Sequence, residues 1–212
     1  MSKTVLYDYW RSTASYRVRI ALNLAGINYS SVSVDLVDGE QKNAAYLAKN
    51  PQGLVPVLEI DGLRLTQSLA ILEYLNTTRD LDLLPVDPGS RAKVLALAHA
   101  IAVDIHPVCN LRVVTYASSL TEAPAEVRKN WMRRFIGPGL DAVEAMMGSH
   151  GQTSYCCGDT PGFVDICLIP QLYNADRWGV DFSHLPHILA AQQACAEHAA
   201  FVNAHPDMCK PV

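Results

Sequence analysis

The sequence predicts an α/β domain followed by an all-helical domain. Three observations lead there. Within roughly the first 80 residues the apolar spacing switches repeatedly between a period of two and a helical period, in the order β-α-β-α-β-β-α. Residues 81–90 then read as a linker, rich in Asp, Pro and Gly. Beyond them every long segment repeats at helical spacing. The predicted domains are residues 1–80 and 91–212.

Each element has its own signal. Thr4 to Asp8 reads as a strand, and Trp10 to Ser15 as a polar turn opening a helix. Val18, Ala21, Leu22 and Ala25 form the apolar stripe of that helix, and Gly26 stops it. Tyr29 to Leu36 alternates as a second strand, and Ala44 to Lys49 is a short helix. Val55 to Ile60 and Leu63 to Thr66 flank Asp61-Gly62, a strong hairpin signal. Leu69, Leu72 and Leu75 start a helix reaching about Thr78. In the second domain Val94, Leu97, Ala98, Ile101 and Ile105 follow helical spacing, and another helix covers about 124–148. Its Arg128, Lys129, Arg133 and Arg134 suit a solvated helix face.

Composition narrows the function. With 17 Lys+Arg against 21 Asp+Glu the net charge is −4, which argues against duplex nucleic acid as the main partner. Half the residues are hydrophobic, enough for a core and too many for disorder. Uninterrupted apolar runs stay far short of about 18 residues, so no membrane span is expected. The six cysteines form no C-x-x-C and no zinc spacing, and read as reduced, mostly buried thiols. With no secretory or transit pattern at the N-terminus, the expected location is the cytoplasm.

Three turns are suited to anions or peptides. Ser12, Thr13 and Ser15 present hydroxyls where a helix begins, so free N–H groups and the positive helix end favour an anion, including a thiolate. The same residues also suit a plain helix cap. Val55-Pro56 suits a turn, or, with a cis bond, a backbone offered outward to an extended peptide. Gln67-Ser68 opens a helix directly after a strand, where a carboxylate or a simple cap fits equally well. Together they belong to one edge of a thioredoxin-like sheet, and ligand sites favour the cleft between two such domains.

At these residues the chain resembles a known family. Trp10-Arg11-Ser12-Thr13-Ala14-Ser15-Tyr16-Arg17-Val18-Arg19-Ile20-Ala21-Leu22 is similar to the signature of zeta-class glutathione transferases, as are Asn50-Pro51-Gln52-Gly53-Leu54-Val55-Pro56 and Gln67-Ser68-Leu69-Ala70-Ile71. Asp104 to Arg112, Gly158 to Pro161 and Asn174 to Trp178 resemble the maleylacetoacetate and maleylpyruvate isomerases of that class. The resemblance implies the glutathione transferase fold, with a thioredoxin-like glutathione-binding domain, a helical substrate domain and a homodimer. It also implies isomerisation of a cis-enedioate by thiolate addition, rotation and elimination. Glutathione would contact Ser12, Ala14, Gln52, Leu54, Val55, Gln67 and Ser68, together with His106 and Asn110, which are read as i, i+4 neighbours on one helix face. Ser12 or Thr13 would donate to the thiolate. Arg11, Arg112 and Arg177 would meet the carboxylates of a small dicarboxylate substrate, although Arg112, six residues beyond His106, falls about 120° round the helix. Pro107 frees the carbonyl of Val103 and marks a kink point.

Two positions depart from the family pattern. Ala14 stands where the family often has cysteine, so the sulfur must come from glutathione. Gly162 stands at a helix cap where threonine is usual, with Asp165 three residues on. Glycine caps nearly as well as threonine, so the fold should tolerate it. Competing readings are a glutathione-dependent dehalogenase or transferase for small halo-acids, and a non-catalytic interaction module of the same fold.

Overall fold

The computed structural model describes residues 3–148, 151 and 153–211. Its chain divides into two compact units, Met1–Asp82 with Glu197–Val212, and Leu83–Ala196.

The first unit holds a four-stranded sheet in the order β2-β1-β3-β4. Strand β1 (Val5–Asp8) pairs parallel with β2 (Ser30–Ser33) and antiparallel with β3 (Val57–Ile60). Strand β3 pairs antiparallel with β4 (Leu63–Thr66). The hairpin between them turns on Asp61 and Gly62, at φ 53° and 79°, the left-handed pair a tight two-residue loop requires. Helix α1 (Thr13–Leu24) ends as expected: Gly26 is left-handed, and the Ile27 N–H closes on the Leu22 carbonyl at 3.0 Å. Val18, Ile20, Ala21 and Leu22 of α1 are fully buried, as are Ile71, Leu72 and Leu75 of α3 (Ser68–Arg79). Helix α2 (Ala44–Leu47) is a single turn. The second strand is shorter than its alternation suggests, because it lies at the sheet edge and only β1 pairs with it.

Two buried arginines depart from the apolar-stripe reading of α1. Arg19 is 1% exposed and pairs with Asp8 at 2.7 Å. It also donates to the carbonyls of Trp10 at 2.9 Å and Ala204 at 3.0 Å. This last bond helps correct the expected domain boundary. Residues 197–212 do not group with the helical unit. Helices α10 (Ala199–Val202) and α11 (Pro206–Cys209) belong with the sheet unit, held by Arg19, by Asn23 Nδ2 donating to the Ala200 carbonyl at 2.9 Å, and by Tyr16 stacked edge-on to His205. The linker is also shorter than expected. Leu83 and Leu84 are buried, and the Leu83 carbonyl accepts from the Phe163 N–H at 3.0 Å.

The second unit is helical. Helix α4 (Pro88–His99), capped by Asp87, runs into a π-helical segment Ala100–Ile105 and the short α5 (His106–Val108). Helix α6 (Leu111–Ser119) follows, then α7 (Pro124–Met147), α8 (Phe163–Trp178) and α9 (Pro186–Ala196). The π segment immediately precedes Pro107, which cannot donate to the Val103 carbonyl, so the expected irregularity is real. The run Pro88–Ser119 contains an 18-residue window of mean hydropathy 1.5, long and apolar enough by composition to cross a membrane. Counting uninterrupted apolar residues missed it. One face of it packs into the core, with Val94, Leu97, Ala98, Ile101 and Ile105 buried. At the start of α8 the Asp165 carboxylate accepts from the N–H groups of Gly162 at 2.8 Å and Cys156 at 2.9 Å, so the glycine cap is accommodated.

Candidate functional site

Strand register brings the three turns to one end of the sheet. Tyr7 lies opposite Val57, and Val57 opposite Thr66. The turn leaving β1, the Val55-Pro56 entry to β3 and the Gln67-Ser68 exit from β4 therefore share that end.

The turn after β1 is closed by the Ser12 N–H on the Tyr9 carbonyl at 2.8 Å. Ser12 is the N-cap of α1, and its Oγ accepts from the Ser15 N–H at 3.2 Å. The bland and the functional readings of Ser12 are compatible. A cap uses an oxygen lone pair and leaves the hydroxyl proton to donate, and the cap bond fixes where Oγ sits. Thr13, at 9% exposure, is nearly buried, whereas Ala14 is half-buried. Arg11 Nη2 donates to the Tyr9 hydroxyl at 2.8 Å, and its guanidinium lies 4.8 Å from the Trp10 ring centre. The long side chain is thus held in place, with its charge half exposed. The Asp8–Arg19 pair anchors the turn from behind through the Trp10 carbonyl.

The Val55-Pro56 bond is cis. The loop before it is held by the Leu54 carbonyl, which accepts from the Tyr46 hydroxyl at 2.8 Å and Asn50 Nδ2 at 2.7 Å. Asn50 is 3% exposed, and its Oδ1 accepts from the Gln52 N–H at 3.1 Å. Burial pushes the Tyr46 phenol up, so it stays a donor at neutral pH. At the third turn Gln67 adopts φ 66°, in the left-handed region, and its Nε2 donates to Gln52 Oε1 at 2.7 Å. Ser68 is 6% exposed and accepts from Arg17 Nη1 at 3.3 Å. Ser12, Thr13, Ala14, Gln52, Leu54, Val55, Gln67 and Ser68 all lie in these three turns of the first unit.

The remaining candidates belong to the second unit, and two readings there need correction. His106 and Asn110 do not share a continuous helix face. Helix α5 ends at Val108, and Asn110 is extended as the N-cap of α6, its side chain accepting from the Arg112 N–H at 3.1 Å. The same break removes the 120° placement of Arg112, which sits exposed in the first turn of α6. Arg177 is exposed in the last turn of α8, its guanidinium 5.8 Å from the Tyr173 ring centre. Among the described residues no group of three or more His, Cys, Asp or Glu could hold a metal ion.

Residues 2–77 match the family described as Glutathione S-transferase, N-terminal domain, and residues 126–201 match Glutathione S-transferase, C-terminal domain. The chain belongs to the glutathione S-transferase family. This glutathione S-transferase is 54% identical over 211 residues to the maleylacetoacetate isomerase of Rhizobium meliloti (strain 1021), with 99% of each chain covered. Among solved structures it is similar to holo maleylpyruvate isomerase, a bacterial glutathione S-transferase in the zeta class, at 39% identity and TM-score 0.93 over 98% of each chain. It is also similar to maleylacetoacetate isomerase from Methylobacterium extorquens AM1 with bound malonate and glutathione, at 38% identity and TM-score 0.91 over 98% of each chain. The sequence resemblance to the zeta class is thereby shown. Pattern reading missed the supports behind the turns of this transferase, Asp8, Arg17, Arg19 and Asn50. The signature quoted above contains the arginines, but only the fold shows that they are buried.

Proposed function

We propose that this glutathione S-transferase is a glutathione-dependent cis–trans isomerase of maleylacetoacetate or maleylpyruvate, acting in the catabolism of aromatic amino acids and related aromatic compounds. The observation that carries the reading is the single sheet end shared by the Ser12-capped start of α1, the cis Val55-Pro56 bond and the Gln67-Ser68 turn. The chain around it is alike over its whole length to enzymes of those names.

The residues fit glutathione. Two helix starts with hydroxyls favour a thiolate at one place and a carboxylate at the other, and no cysteine occupies the first turn. Bound there, glutathione would supply the thiol whose addition to the double bond permits rotation before it is eliminated. Ser12, or Thr13 beside it, would donate to the sulfur, with Ala14 lining it. Val55 would pair through its backbone with the cysteinyl residue. Gln52 and Leu54 would line the same stretch, and Gln67 and Ser68 would hold the γ-glutamyl end. His106 and Asn110 of the helical unit complete the proposed glutathione contacts, and Arg11, Arg112 and Arg177 the carboxylate contacts of a small dicarboxylate substrate. The proposal includes a homodimer in the cytoplasm.

Ultraviolet assays of the full-length protein on both compounds test this. Isomerisation of at least one, dependent on added glutathione, is the expected result. Turnover without glutathione, or turnover only of small halo-acids, would overturn it. Light scattering that shows a monomer at micromolar concentration removes the dimer.

A further inference from the structure

We infer that the buried guanidinium of Arg17 is a positioning residue for the γ-glutamyl carboxylate of glutathione, acting through the hydroxyl of Ser68. The inference rests on the glutathione reading above. Arg17 is 2% exposed within α1, and its Nη1 donates to Ser68 Oγ at 3.3 Å. Ser68 is the first residue of α3, whose first turn contains no acidic side chain. The start of a helix carries a partial positive charge. A buried guanidinium bonded to Ser68 adds to that charge, so both favour an anion at this point.

The hydroxyl then has a direction. Ser68 has one proton and two lone pairs, and Arg17 engages a lone pair. The proton is left for an acceptor on the other side of the oxygen. A hydroxyl polarised by a cation is a better donor, and a carboxylate is the acceptor that gains most from it. Arg19, two residues on and about 200° round the helix, has a different task. It engages Asp8 and the Trp10 and Ala204 carbonyls, all parts of the fold. Arg19 thus holds the turn that bears Ser12, while Arg17 reaches Ser68 at the start of α3.

Calorimetric titration of the full-length protein decides this, using glutathione and the analogue γ-aminobutyryl-cysteinyl-glycine, which lacks only the glutamyl carboxylate. Wild type should bind glutathione about tenfold or more tightly than the analogue, the size of one charge-assisted hydrogen bond. Arg17→Met should weaken glutathione about tenfold and leave the analogue nearly unchanged. Arg17→Lys should recover part of the loss, and Arg17→Met added to Ser68→Ala should weaken glutathione no further than the larger single effect. Arg17→Gln carries the same test if Arg17→Met does not fold. Equal weakening of both ligands, or no change in either, would overturn the inference. So would wild type that binds the two ligands equally well, whatever the variants do. Wild type that binds no glutathione overturns the underlying glutathione reading instead.

Discussion

Ser12→Ala separates the cap that Ser12 forms from the donor role proposed for it. The side chain accepts the Ser15 N–H at 3.2 Å as the cap of α1. Alanine removes that acceptor, and lost serine caps typically lower stability by about 1 kcal/mol. For a chain of this size that is about 2–4 °C in Tm. Such a loss is small against a typical stability of about 5–15 kcal/mol, so the variant stays folded. The catalytic effect is expected to be much larger. A free thiol titrates near about 8.5, so only a few per cent is thiolate at neutral pH. The helix start and one hydroxyl donor should pull bound glutathione below its free value, and removing one oxyanion-type donor lowers kcat about 10²-fold or more. Thermal unfolding measures the first effect. The thiolate absorbance of the glutathione complex, followed against pH, measures the second together with kcat/KM. A Tm shift with an unchanged titration and unchanged kcat/KM would refute the donor role and leave Ser12 as a cap only. Thr13→Val is then the next variant.

Arg19→Met leaves Asp8 buried without its 2.7 Å partner, and should destabilise the fold by about 3–5 kcal/mol, or about 6–20 °C in Tm. Adding Asp8→Asn should recover part of that loss in the same melt. Gly139→Ala would place a methyl 2.5 Å from Ile105 Cγ1, inside the buried contact between α7 and the π segment, so a loss of about 1–3 kcal/mol is expected by denaturant titration. Burial pushes the Glu144 carboxyl up, but the His187 and Ile188 N–H groups, both at 2.9 Å, and the His187 ring outweigh it and hold the carboxyl below its ordinary range. Its stabilisation is therefore present above about pH 4.5 and is lost as pH falls through the lowered value. Urea titrations should show Glu144→Gln weaker than wild type by about 1.5–3 kcal/mol at neutral pH, with the gap closing in acid.

The elements of the sheet unit were legible because each had a local cause. Asp61-Gly62 can form a two-residue turn with both residues left-handed, and Ser12 has the chemistry of a helix cap. Those causes sit within a few residues of the structure they produce. The C-terminal segment is different. Its sequence is helical like the segment before it, and what assigns it to the sheet unit is Arg19 and Asn23, more than 170 residues away. Asn110 fails as a helix-face residue for a related reason. Helical counting through His106 assumed that the helix continued beyond Pro107, whereas the helix stops at Val108 and a new one starts at Leu111 with Asn110 as its cap. Arg17 and Arg19 read as ordinary polar positions because periodicity reports where apolar residues recur, and says nothing about a charge whose partners come from another element.

The state of the protein's own thiols bears on the proposed reaction. A cysteine competes as a nucleophile only as thiolate. Burial pushes Cys109 up to about 11 and Cys157 up to about 12, and raises Cys156, Cys195 and Cys209 as well. Cys156 and Cys195 also face the Asp165 carboxylate, whose negative charge opposes a second anion beside it. Near neutral pH these five stay protonated. In the proposed site the start of α1 would act in the opposite sense, its N–H groups and the Ser12 hydroxyl favouring a negative sulfur, while Ala14 offers none of its own. In the proposed reaction an electron-poor alkene at the start of α1 would therefore meet the one thiol activated there, the one that glutathione brings. The reagent 5,5′-dithiobis(2-nitrobenzoic acid) tests this on the folded protein at pH 7. Cys156 and Cys195 should react only on unfolding, and a rapid reaction of either would show that burial does not keep the protein's own sulfur out of the chemistry.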